Sequence, residues 1–171
     1  DIATVWVGET TSCGVTVAGV IKCWGQDDHG QLGDNGTADQ PLPIVVGAFQ
    51  SASTMIATTA TYSCALAADG GVECWGLNDH GQLGTGTLVH QATPVPVVGL
   101  GAGVRRFLSR VDSTCALLVD GSVKCWGANF DHQLGDGTTT DKLTPIDVQG
   151  LPADVLQISG TGQSACARTA S

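Results

Sequence analysis

Long charged side chains are scarce in this 171-residue chain: 13% of its residues are charged, with seven Lys or Arg against sixteen Asp or Glu. A net charge of −9 built on so few cations argues against a nucleic-acid partner, because neutralising phosphates takes clustered Lys and Arg. The one basic cluster is Arg105, Arg106 and Arg110. No apolar run reaches the ~18 residues of a membrane-spanning helix. No segment carries the 3.6-residue period of an amphipathic helix either. A Ser-His-Asp or Cys-His pattern is missing, as is a glycine loop set to cradle phosphate before a helix. No catalytic residue, metal ligand or cofactor is therefore assigned. Glycine, by contrast, is abundant at 24 residues, and 42% of the chain is apolar. That composition excludes disorder and points to short strands joined by tight turns.

The chain repeats itself. Cys13, Cys64, Cys115 and Cys166 are spaced 51 residues apart, and so are Cys23, Cys74 and Cys125. Trp24, Trp75 and Trp126 keep the same step, as do Gln31, Gln82 and Gln133, and Pro43, Pro94 and Pro145. Five series of residues in one register define a tandem array over 1–171, with units at about 1–51, 52–102 and 103–153 and a partial fourth at 154–171.

Each unit reads as about four short strands. "SCALAADGGVECWG" is two strands around a turn, with Gly19, Gly70 and Gly121 at the left-handed position of a three-residue hairpin loop. Val5, Ile56, Phe107 and Ile158 mark a core strand upstream of each hairpin. "PIVVG", "PVPVVG" and "PIDVQG" read as proline-opened extended segments downstream, and Pro96 places one of them at a sheet edge or turn. The predicted fold is all-β: four-stranded antiparallel propeller blades, about three and a third of them.

The hairpin fixes the cysteines. With a loop at Ala68, Asp69 and Gly70, Cys64 faces Cys74 on a non-hydrogen-bonded pair, where Cα atoms lie roughly 4.5 Å apart. The same count sets Cys13 against Cys23 and Cys115 against Cys125. A spacing of ten with one pair per unit favours disulfides over zinc, whose ligands come in closer pairs. Disulfides imply an extracellular or cell-surface location. Cys166 has no counterpart ten residues on, so the expectation is a longer chain or an intermolecular bridge.

"DGGVECWGLNDHGQLGTGT", followed by "TPVPVVGL" and then "TCALLVDGSVKCWG", resembles the repeat of the regulator of chromosome condensation family over essentially the whole chain. The resemblance implies a β-propeller, usually seven-bladed, in which the tryptophan packs between blades. Family functions range from a nuclear exchange factor and an ultraviolet-B photoreceptor to a secreted β-lactamase inhibitor and bacterial surface proteins. Acidity and the paired cysteines count against the nuclear role. Trp6, the one tryptophan outside the repeat positions, counts against the photoreceptor. His132 replaces the glycine of Gly30 and Gly81, so the third turn is expected to differ in backbone conformation.

The remaining candidates are few. Asp28–His29 and Asp79–His80 read as polar turn residues repeated by duplication, and Asp34–Asp39 as a solvated turn rather than a Ca²⁺ loop. Asn35-Gly36-Thr37 is a glycosylation sequon. Arg105, Arg106 and Arg110 either pair with carboxylates of the adjoining blade or meet an acidic partner. The expected function is a non-catalytic secreted or surface module for protein binding or assembly, with further copies of the repeat as possible partners. An extracellular lyase or hydrolase and a secreted enzyme inhibitor are the alternatives.

Overall fold

The computed structural model describes residues 1–47, 49, 51–162 and 164–170. Among these residues every regular element is a strand. Strands β1 (Ile2–Val7), β2 (Thr11–Thr16), β3 (Ile21–Gly25) and β4 (Gln40–Val45) form the first sheet in chain order. Strands β5 (Ser53–Thr58), β6 (Tyr62–Ala67), β7 (Val72–Gly76) and β8 (Gln91–Pro96) form the second. Strands β9 (Val104–Ser109), β10 (Ser113–Leu118), β11 (Val123–Gly127) and β12 (Lys142–Asp147) form the third. A two-stranded sheet of β13 (Val155–Thr161) and β14 (Ser164–Thr169) follows. All pairings are antiparallel. The molecule is a partial β-propeller of three blades and a half.

Local chemistry sets each hairpin. Ala67 N–H donates to the Gly71 carbonyl at 2.8 Å, and Gly70 closes the loop at φ +86°. Counting outward places Cys64 opposite Cys74, and the equivalent pairs follow the same register. All three pairs are disulfides with Cα atoms 4.1 Å apart.

The first strands β5, β9 and β13 each pack against the first and second strands of the preceding blade, which sets the first strands toward the axis. Consecutive residues of a strand point to opposite faces, so each Cys faces the next blade and the adjoining Trp faces the previous one. Between the first and second blades the Cys13–Cys23 disulfide, Val15, Ile21 and Leu32 pack against Ile56 and Trp75. Between the second and third, Cys64–Cys74, Leu66, Val72 and Leu83 pack against Phe107 and Trp126. At the half blade, Cys115–Cys125, Leu117 and Leu134 meet Val155 and Ile158, and no tryptophan.

Two expectations need correction. The downstream strands begin at Gln40, Gln91 and Lys142, three residues before Pro43, Pro94 and Pro145 rather than at them. As last strands of their sheets they tolerate a missing N–H. His132 keeps the turn instead of altering it: its φ is +59°, beside +78° for Gly30 and Gly81. A Cβ on Gly30 would meet Ala92 at 2.8 Å, and one on Gly81 would meet Leu143 at 2.6 Å, both on the next blade's fourth strand. The half blade has no such strand among the described residues, so the imidazole has room.

Candidate interaction surfaces

The blades are locked by one recurring contact. Trp75 Nε1 donates to the Gln31 carbonyl at 2.9 Å, and Trp126 Nε1 to the Gln82 carbonyl at 2.9 Å. Each carbonyl takes a second donor from the following blade, Ser63 Oγ at 2.9 Å and Thr114 Oγ1 at 3.4 Å. The glutamine side chains hold the turn: Gln31, Gln82 and Gln133 accept the N–H of His29, His80 and Asp131 at 2.8–2.9 Å. Tyr62, buried and pushed up to about 12 by desolvation, adds a bond to the Ser113 carbonyl at 2.8 Å.

Among the described residues the first sheet has no neighbour before it and the last has none after it. At the first, Trp24 is half-buried and Val5 is 53% exposed, while the equivalent Ile56, Phe107 and Ile158 are buried. At the last, Cys166 is exposed and unbridged.

A groove of about 400 Å³ runs along the axis and is lined by Trp6, Thr54, Met55, Arg105, Arg106 and Leu156, among others. Arg105 and Arg106 are exposed on β9. Neither enters any ion pair found among the described residues. Arg110 is set apart from them: it is buried, donating from Nη2 to the Gln133 carbonyl at 3.2 Å and toward Cys115 Sγ at 3.4 Å.

The Asp–His neighbours do not pair with each other. His80 Nδ1 instead meets Asp141 of the next blade at 2.8 Å, and Asp79 meets His90 at 2.9 Å. Asp34 accepts Gly36 N–H at 2.8 Å, and Asp39 accepts Asp27 N–H at 2.9 Å. Among the described residues no group of three His, Cys, Asp or Glu side chains is arranged to hold a metal. Asn35 is exposed at φ +70°, its N–H bonded to the Ala92 carbonyl.

Asp27 is a site that sequence reasoning missed. It shares the 51-residue step with Asn78 and Asn129, and all three accept the N–H of the following Leu32, Leu83 or Leu134 at 2.8–3.0 Å. The asparagines also donate: Asn78 to the Thr87 carbonyl, Asn129 to Asp136. Asp27 cannot donate when ionised, and its buried Oδ2 finds no partner. Burial, opposed by the Leu32 N–H and reinforced by the Asp34 and Asp39 carboxylates, pushes it up to about 6.

With this geometry in view, a family model for the regulator of chromosome condensation (RCC1) repeat matches residues 19–66, 69–111 and 120–167. The chain belongs to that family. It is 32% identical over 152 residues to the human E3 ubiquitin-protein ligase HERC2, covering 88% of this chain and 3% of that protein. It is 29% identical over 156 residues to the ultraviolet-B receptor UVR8 of Arabidopsis thaliana, covering 90% of this chain and 36% of the receptor. The RCC1-repeat chain thus spans a minor part of these relatives. Human WBSCR16 superposes with a TM-score of 0.86 at 21% identity, over 99% of this chain and 45% of that one. Prp20p of Saccharomyces cerevisiae superposes at 0.82 and 16%, over 96% and 42%. Both share the fold.

Proposed function

We propose that the chain is a non-catalytic interaction module of a secreted or surface-displayed protein, whose axial groove binds an acidic segment of a protein partner. One observation carries this reading: two exposed arginines, Arg105 and Arg106, both line the groove of a chain with net charge −9 and stand outside the ion pairs found among the described residues. Such an isolated positive patch steers and selects a negative partner. One disulfide in each four-stranded blade supports an oxidising compartment, where such bridges persist. Prp20p is described with binding to Gsp1p and histones, and protein binding by that propeller supports a binding role for this one. The groove presents Arg105, Arg106, Thr54 and Gln157 among apolar side chains.

The test is a fluorescence-anisotropy titration with a dye-labelled oligoglutamate peptide at low ionic strength. Arg105→Glu with Arg106→Glu is expected to weaken binding by about tenfold or more, and added salt to weaken the wild type in parallel. Equal affinity of both proteins would remove the groove as the contact surface.

A further inference from the structure

The turn between β3 and β4 loses a donor at a place that its copies ring with acceptors. In the third blade Asn129 Nδ2 donates to Asp136 Oδ1 at 2.9 Å, the Thr138 carbonyl at 3.0 Å and the Thr140 carbonyl at 3.2 Å. In the second, Asn78 Nδ2 donates to the Thr87 and Val89 carbonyls at 2.8 and 3.1 Å. These acceptors all belong to the same blade's own turn. The 51-residue step puts Asp27 in the place of the amide, with Asp34, Gly36 and Ala38 where the third blade has Asp136, Thr138 and Thr140.

The first turn keeps the course of the third. Asp27 Oδ1 accepts the Leu32 N–H at 2.8 Å, as Asn129 Oδ1 accepts that of Leu134 at 3.0 Å. Asp39 Oδ1 accepts the Asp27 N–H at 2.9 Å, as Asp141 Oδ1 accepts that of Asn129 at 2.8 Å. Asp34 Oδ1 accepts the Gly36 N–H at 2.8 Å, as Asp136 Oδ1 accepts that of Thr138 at 2.9 Å. Asp27 Oδ2 thus stands where a donor belongs. Asp27 is 0% exposed and this oxygen has no hydrogen-bond partner, while the Asp34 carboxyl lies within hydrogen-bonding reach of it. Charge departs in the same direction. Lys142 Nζ lies 3.0 Å from Asp136 Oδ2, but neutral Gln40 takes its place in the first blade and donates to Asp34 Oδ2 at 3.3 Å. Asp for Asn and Gln for Lys leave the first turn two charges more negative than the third.

We propose that this turn is a Ca²⁺ site, with Asp27 Oδ2 and the Asp34 carboxylate as charged ligands and the Gly36 and Ala38 carbonyls as neutral ones. A divalent cation supplies what the amide and the lysine supply in the third blade: one positive partner for several oxygens, and two units of charge. A proton shared by the two carboxyls offsets one charge and leaves the carbonyls without a partner. An all-oxygen set on an irregular loop suits Ca²⁺, which takes about six to eight oxygens in flexible geometry, over octahedral Mg²⁺ or Zn²⁺. Asp34 is half-buried and residues 37–39 are exposed, so the outer side is left to water. Only two of the ligands are acidic side chains, and the first of them lies outside the Asp34–Asp39 segment. That segment read alone therefore shows a solvated turn.

None of these residues lines the axial groove, so either proposal can fail alone. The test is calorimetric titration of the cation-free chain with CaCl₂, alongside urea unfolding in chelator and in CaCl₂. One Ca²⁺ is expected to bind with a Kd of about 1 mM or below, the range of extracellular calcium modules. Calcium at about ten times that Kd should raise the folding equilibrium constant about tenfold. Asp27→Asn introduces the residue that the other two blades carry there, so the variant is expected to fold. It should lose the calcium-dependent gain, and so should Asp34→Asn. Asp154→Asn removes an exposed charge elsewhere and should keep the gain. Three results would overturn the proposal: wild-type stability indifferent to calcium, a gain that survives Asp27→Asn or Asp34→Asn, or a gain lost equally in Asp154→Asn.

Discussion

A single oxygen distinguishes the first turn from its two copies. Asp27 occupies the place of Asn78 and Asn129 but leaves Oδ2 without a donor in a buried site. Its carboxyl is pushed up to about 6, so the folded state favours the protonated acid. The stability this group contributes is therefore present below about pH 4, the ordinary carboxylate range, and is lost as pH rises through the shifted value. Asp27→Asn is expected to raise stability at neutral pH by about 1–3 kcal/mol, the cost of an unsatisfied buried polar group. The gain should shrink toward zero in acid. Urea unfolding at several pH values checks both the size and the direction. The signal was available as the one departure from Asn at that step of the repeat, yet only the buried surroundings give it meaning. Arg110 is a parallel case: it adjoins Arg105 and Arg106 in the sequence, but it is buried at the third junction while they face the groove.

At the scale of the element, the hairpins were legible because they are local. A three-residue loop closed by Gly70 fixes every pair out to Cys64 and Cys74 with no knowledge of the rest of the chain. What a strand meets across a junction was less legible, since it depends on residues about fifty positions away. The backbone at His132 illustrates this: the sequence shows a glycine replaced, whereas the conformation is retained with the side chain exposed. The junctions themselves invite a paired comparison. Trp126 is fully buried and donates to the Gln82 carbonyl, whereas Trp24 is half-buried at the open first face. Trp126→Phe is expected to cost about 1–3 kcal/mol through the lost buried hydrogen bond. Trp24→Phe should cost about 0.5 kcal/mol, as a change outside such a network does. Equal losses in denaturant titrations would contradict the assignment of the indole to the blade junction.

The whole molecule is a stack of cross-braced blades with two arginines in the groove of an otherwise acidic chain. The 51-residue step announced the stack, and the family match and the superpositions on WBSCR16 and Prp20p agree with it. Because this chain covers under half of each of those structures, the partners of the complete proteins do not transfer to it. The proposed function rests instead on the arginine groove of this chain. The most direct test of the architecture is non-reducing peptide mapping after alkylation of the folded chain. Links Cys13–Cys23, Cys64–Cys74 and Cys115–Cys125 are predicted, with alkylation confined to Cys166. A link between cysteines of different repeats, or alkylation within any hairpin, would contradict it.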